Sequence, residues 1–398
     1  MRILIVARAD SVHTARWISQ IADRGWDIHL FPGTDSGADI HPEMRNVTLH
    51  HSRFLAPGAG AEGVRFRGGS PARRLEELVR RRLFAGLPPG RRASRLARLI
   101  ESLRPDVVHS MEIQAAGYLT REAKRLLDGR FPPWIVTNWG SDIYLFGRLA
   151  EHESRIRDVL AACDYYSCEC LRDVSLAKAF GFRGTVFPVF PNTGGFALEQ
   201  VARLRRPGPV SGRRLVMLKG YQHWAGRALV ALRALSLCAD ALKEYEVAVY
   251  SASPDVAVAA ELFGKETGIP VRVIPKGTPH AGILRLHGAA RLSVGLSIGD
   301  AISTSLLEAM VMGSFPIQSW TACADEWIED GETGLLVPPD DPEVVEKAIR
   351  RALGDDGLVD EAAGKNARVA AERLDAGLLA SRAADMYREA AGGRGSFR

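Results

Sequence analysis

No apolar run in the 398 residues approaches the roughly 18–20 needed to cross a bilayer, because Arg8, Lys219 and Arg233 interrupt the best candidates. A membrane-spanning helix is excluded on that count. The opening Met1-Arg2-Ile3-Leu4-Ile5-Val6 lacks a cleavable secretory pattern and reads as a first buried strand, so the expected location is the cytoplasm. Cysteine is scarce: there are five, with Cys168 and Cys170 as C-x-C, but no C-x-x-C pair and no histidine at zinc-finger spacing. They read as buried, reduced small hydrophobes. The first strand is not followed by G-x-G-x-x-G, which argues against a nicotinamide dehydrogenase. Internal repeats and extended low-complexity tracts are also missing.

What is present is the balance of an ordinary globular protein, 46% hydrophobic and 25% charged residues, in a chain long enough for two domains. The net charge of +5 is unevenly placed: residues 64–104 carry twelve arginines against Glu76, Glu77 and Glu101. Such a stretch fits either the solvated face of one or two helices or contact with an anionic membrane surface, peripheral on its inner face. Nucleic acid is disfavoured, since no aromatic residue after Phe84 interleaves with the arginines up to Arg104.

Short runs rich in Val and Ile alternate with helix-period segments, the pattern of parallel sheets built from βα units. Strands are expected at Ile3–Ala7, Ile28–Phe31, Val107–His109, Ile135–Thr137, Tyr165–Cys168 and Thr185–Phe187, then at Leu215–Leu218, Val247–Tyr250, Val271–Ile274, Leu292–Leu296 and Pro316–Ser319. The turn-forming cluster Pro188, Pro191, Asn192, Thr193, Gly194 and Gly195 separates two doubly wound halves. The expected domains are 1–192 and 193–377, with a helix and tail at 378–398. Ligands of such sheets bind beyond the carboxyl ends of strands, so the chemistry is expected on loops that follow strands, in a cleft between the halves.

The strongest local signal follows the strand at Leu292–Leu296: Gly299-Asp300-Ala301-Ile302-Ser303-Thr304-Ser305-Leu306-Leu307-Glu308-Ala309-Met310. A helix starting near Ser303 would turn its first-turn N–H groups and the hydroxyls of Ser303, Thr304 and Ser305 toward a diphosphate. Asp300 then lies beside the phosphates or donor sugar, and Glu308 reaches a ribose diol. By itself the segment is better read as a plain helix cap, at Asp300 or Ser303, and a solvated glutamate. The context decides against that: Phe315-Pro316-Ile317-Gln318-Ser319, then Glu326, then Asp330-Gly331-Glu332-Thr333-Gly334-Leu335-Leu336-Val337-Pro338-Pro339-Asp340-Asp341-Pro342.

In these residues the chain resembles the retaining glycosyltransferases of family four, which carry E-x7-E around a Leu-Glu-Ala-Met core and then D-G-x-x-G-x-L-V-x-P-x-D-P. The likeness is dense over residues 296–342 and weaker elsewhere, at the opening strand and helix, at Arg104-Pro105-Asp106-Val107-Val108-His109 and at Pro191-Asn192. It implies a glycosyltransferase-B fold of two Rossmann-like α/β domains, with the C-terminal helix returning to the first. It further implies a nucleotide diphosphate sugar as co-substrate, uridine diphosphate sugars being favoured, and retention of anomeric configuration.

The chain departs from the family's pattern at several positions. Asp300 stands where the family usually has Glu. Asn138-Trp139-Gly140-Ser141-Asp142 replaces a common histidine and glycine, leaving Asp142 as either a sugar contact or a turn residue. The glycine-rich first loop is absent; His13, at the start of the first helix, is either a substrate contact or a cap. Phosphate charge needs cations, and Lys219-Gly220-Tyr221-Gln222-His223-Trp224-Ala225-Gly226-Arg227 supplies Lys219 and Arg227. With no Asp-x-Asp anywhere, no metal is expected. The reading is a metal-independent transfer to a saccharide, lipid-linked or small-molecule acceptor, as in polysaccharide or glycoconjugate assembly. An epimerase or phosphorylase on the same fold, or a non-catalytic sugar-nucleotide binder, stands as the alternative.

Overall fold

Strands buried on both faces read as unbroken apolar runs, and the first of them, β1 (Arg2–Ala7), is buried from Ile3 to Ala7. The computed structural model describes residues 1–34, 40–50, 62–67, 89–127, 129 and 131–392. Around β1 the chain adds β2 (Asp27–Pro32), β3 (Thr48–His50), β4 (Arg65–Arg67), β5 (Val107–Met111), β6 (Trp134–Thr137), β7 (Tyr165–Ser167) and β8 (Thr185–Val186). All pair in parallel, in the order β4-β3-β2-β1-β5-β6-β7-β8.

A second parallel sheet contains β9 (Leu215–Lys219), β10 (Glu246–Tyr250), β11 (Val271–Val273), β12 (Leu292–Gly295), β13 (Phe315–Ser319) and β14 (Leu335–Val337). Its order is β11-β10-β9-β12-β13-β14. In both sheets the strand order reverses beside the first strand, between β1 and β5 and between β9 and β12, which is the doubly wound arrangement. The expected fold class is therefore the observed one. The strands β3, β4 and β14 add to the expected set; each is three residues long.

The chain divides into two units, Met1–Gly194 with Leu378–Arg398, and Gly195–Gly377. Unit one packs apolar side chains on both faces of its sheet. One face includes Leu4, Val6, Leu96, Val108 and Trp134; the other includes Ile3, Ile5, Trp17, Ile18 and Leu30. The last helix, Ala376–Gly392, lays Leu379, Ala383, Met386 and Tyr387 onto that second face. Buried Tyr387 lies with its hydroxyl 2.8 Å from Trp17 Nε1 and 2.6 Å from His109 Nδ1. The C-terminal helix thus belongs to the first unit. In unit two the two connecting segments pair with each other: Phe196 N–H donates to Leu374 O, and Ala376 N–H to Phe196 O.

Of the basic stretch 64–104, residues 68–88 lie outside the described residues. Among those described, Arg92 donates to Pro32 O at 2.6 Å and Arg95 lies over the Phe31 ring. Among the described residues no helix is long and apolar enough to cross a membrane.

Candidate functional site

The reversal between β9 and β12 sends the following connections in opposite directions and opens a crevice at their carboxyl ends. Lys219 is the last residue of β9, and its Nζ donates to Ser303 Oγ at 3.0 Å. Ser303 Oγ also lies 2.6 Å from Ser305 Oγ. Ser303 occupies the N-cap of the helix Thr304–Met312, yet its side chain does not cap it. The hydroxyl is turned to Lys219 instead, so no capping side chain covers the first-turn N–H groups. Ser303 and Ser305 are both buried, and Thr304 is partly exposed.

The connection after β9 folds back on itself. Gly226 bridges Ser297, and a Cβ on Gly226 would stand 2.3 Å from Tyr221 O, a distance no side chain tolerates. Arg227 Nε donates to Asp340 Oδ1 at 2.8 Å and Nη1 to Gly226 O at 2.9 Å, so its charge is already matched by a carboxylate. Burial, followed by the Lys219 and Arg227 cations, pushes the His223 imidazole down, while Asp300 acts in the opposite direction. Asp300 Oδ1 accepts from Ala301 N–H at 3.0 Å. Lys219, Arg227, His223 and Asp300 therefore share one electrostatic neighbourhood.

Glu308 lies one turn into the same helix and is 6% exposed. Its Oε1 is 2.7 Å from His280 Nε2, and its Oε2 is 3.6 Å from His287 Nε2. Burial alone would raise this carboxyl, but the hydrogen bond from His280 and the nearby His287 imidazole outweigh it and hold it down at about 2.

In unit one, His13 and Asp142 meet at Trp139. The His13 and Trp139 rings are 5.2 Å apart, and Asp142 Oδ2 accepts from Trp139 N–H at 2.8 Å and from Ile113 N–H at 2.9 Å. Burial, then the neighbouring Glu112 charge, raises the Asp142 carboxyl well above its ordinary value. Glu112 ends the strand path of β5 with φ 77° and ψ 147°, a conformation costly for a side-chain-bearing residue, and its own carboxylate accepts from Ala115 N–H at 2.8 Å.

Two family models match the sequence, a glycosyl transferase 4-like model over residues 2–55 and 90–163 and a glycosyl transferases group 1 model over residues 213–355. The chain belongs to the glycosyltransferases. Among solved structures, this glycosyltransferase is similar to sucrose-phosphate synthase from Thermosynechococcus elongatus, at 16% identity over 99% of this chain and 100% of that one, with a TM-score of 0.68. A glycosyltransferase from Rickettsia africae aligns over 98% of each chain at 14% identity, with a TM-score of 0.67. HepE of Anabaena, solved with UDP-glucose, aligns over 98% of this chain and 100% of its own at 14% identity, with a TM-score of 0.66. These likenesses show the glycosyltransferase-B fold. No curated protein matches the chain.

Several residues around the glycosyltransferase's candidate site escape a reading of the sequence. His280 and His287 belong to no motif; their seven-residue spacing on one helix, which sets both on one face, is the only signal. Glu112 gives none, because a positive φ at a glutamate is imposed by its surroundings.

Proposed function

We propose that this glycosyltransferase moves a hexosyl group from a nucleoside diphosphate sugar to an acceptor hydroxyl with retention of anomeric configuration and without a metal. A uridine diphosphate sugar is the favoured donor. The observation that carries the proposal is the contact of Lys219 Nζ with Ser303 Oγ at the strand-order reversal of the second sheet, with the Glu308 carboxylate one helical turn deeper. A cation, two hydroxyls and a helix N-terminus converge where a pyrophosphate would be held, and the carboxylate is spaced to reach the attached ribose. The presence of UDP-glucose in HepE supports the choice of nucleotide.

In this reading Lys219, Ser303, Thr304 and Ser305 stabilise the charge that grows on the leaving diphosphate as the glycosidic bond breaks. The acceptor oxygen forms its bond to the anomeric carbon on the face the phosphate leaves, and a phosphate oxygen takes the hydroxyl proton. The carboxylate of Asp300 contacts the donor sugar. Arg227, tied to Asp340, fixes the loop that presents Lys219. The sequence supports operation without a metal, since fixed cations are present and no Asp-x-Asp occurs.

Calorimetry with UDP, ADP and GDP tests the site. Lys219→Ala removes a charge-assisted hydrogen-bond donor and is expected to weaken the best nucleotide by about 10- to 100-fold. Unchanged affinity would overturn the assignment. Incubating a nucleotide sugar without acceptor distinguishes an epimerase, which turns over alone, and the proton NMR coupling at the product's anomeric carbon reports retention or inversion.

A further inference from the structure

A carboxylate 6% exposed is expensive to keep ionised, and a lone one would take up a proton. Glu308 is surrounded instead by two imidazoles from the helix His280–Ala289. His280 presents Nε2 to Oε1 at 2.7 Å and keeps 30% of its side chain exposed; His287 is wholly buried and faces Oε2 with Nε2 at 3.6 Å. A chain of hydroxyls stands behind His287: its Nδ1 is 2.8 Å from Ser293 Oγ, which is 2.6 Å from Ser314 Oγ. With Ser314 donating to Ser293 and Ser293 to Nδ1, the imidazole proton sits on Nε2 and is directed at Glu308. At 3.6 Å from Oε2 that nitrogen makes no hydrogen bond, so His287 bears on Glu308 as a close, fixed neighbour.

An ionised carboxylate offers two oxygens with about four acceptor positions. The bond from His280 takes one position on Oε1, and His287 stands beside Oε2 without bonding it, so each oxygen keeps at least one position open. A vicinal diol has two hydroxyl donors at matching separation. The donors supplied by the protein are imidazoles, not a lysine or arginine that would fold over the carboxylate and cover both oxygens.

We propose that His280 and His287 form a preset clamp that orients Glu308 as a two-oxygen acceptor, with His280 the positioning residue that makes the donor site select an intact ribose diol over a deoxyribose. The inference rests on the reading of Glu308 as the ribose contact. The depressed carboxyl of Glu308 agrees with it, because only the anion accepts from both hydroxyls.

The test compares UDP, ADP and GDP with their 2′-deoxy counterparts by calorimetry on the full chain, for the wild type, His280→Ala, His280→Gln and Glu308→Gln, with thermal unfolding as the folding check. For whichever base binds best, His280→Ala is expected to lose about tenfold affinity for the ribonucleotide and almost none for the deoxynucleotide. His280→Gln, whose amide places a donor near the position of Nε2, is expected to recover most of the loss. Equal losses for both sugars, or no loss in His280→Ala, would overturn the clamp. If Glu308→Gln binds the ribonucleotide as the wild type does, or the wild type binds no diphosphate, the ribose reading itself falls and takes the clamp with it. A loss in Glu308→Gln with His280→Ala unaffected removes the clamp alone.

Discussion

Asp142 shows how one buried atom can hold two turns. Its Oδ2 accepts from the N–H groups of Ile113, after β5, and Trp139, after β6. Asp142→Ala orphans both buried donors, at about 1–3 kcal/mol each, so urea unfolding is expected to show a loss of at least about 2 kcal/mol. Asp142→Asn retains an acceptor oxygen and is expected to stay within about 1 kcal/mol of the wild type. It also separates two roles: a turn-fixing Asp142 leaves transferase activity near wild type in the Asn variant, whereas a proton-accepting one does not. Glu308 makes a pH prediction. Its folded value of about 2 lies below the ordinary 4.5, so its contribution to stability is fully present above pH ~4.5 and is lost as pH falls through about 2. The difference corresponds to at most about 3 kcal/mol. Glu308→Gln is expected to flatten that part of the acid limb in denaturant titrations, and an unchanged limb would show that the imidazoles do not hold the carboxylate.

Among the elements, the C-terminal helix depends on a polar anchor set in an apolar face. Tyr387→Phe leaves Trp17 Nε1 and His109 Nδ1 without their common partner inside unit one, and a loss of about 1–3 kcal/mol is expected by chemical denaturation. The helix itself is legible in the sequence from its periodicity, but the trio is not, since its members are 278 and 370 residues apart along the chain. Strands divide in the same way. Central ones such as β1, β5 and β9 carry apolar residues on both faces and declare themselves, whereas β3, β4 and β14 are short, and β4 is largely exposed. Lys219 and Ser303 stand out because one ends and the other follows a strand flanking the order reversal, which the alternation of elements already encodes. The engagement of Arg227 with Asp340 depends on how far two loops reach, and nothing local in either segment specifies that. Gly226→Ala tests the loop: the clash with Tyr221 O is expected to displace the Lys219 connection and weaken nucleotide binding several-fold, with little change in unfolding midpoint.

For the whole molecule, the nucleotide-binding groups proposed here all belong to one unit. Lys219, Ser303, Thr304, Ser305, Glu308 and the two histidines lie within Gly195–Gly377, while His13, Asp142 and Glu112 lie in the other. A ligand that binds only the folded state stabilises it by about 2.7 kcal/mol at a hundred times its Kd, and backbone amides report where that stabilisation is lodged. Hydrogen exchange with saturating UDP is therefore expected to slow amides at residues 219–227, 280–287 and 300–308, with the core of the first sheet unchanged. Lys219→Ala should remove the effect at 300–308 along with that at 219–227, because the Nζ contact to Ser303 joins the two segments and a diphosphate would extend the same bridge. Protection confined to residues 8–13 and 138–142 would move the nucleotide to the first unit and leave the serine-rich helix start without a role in donor binding.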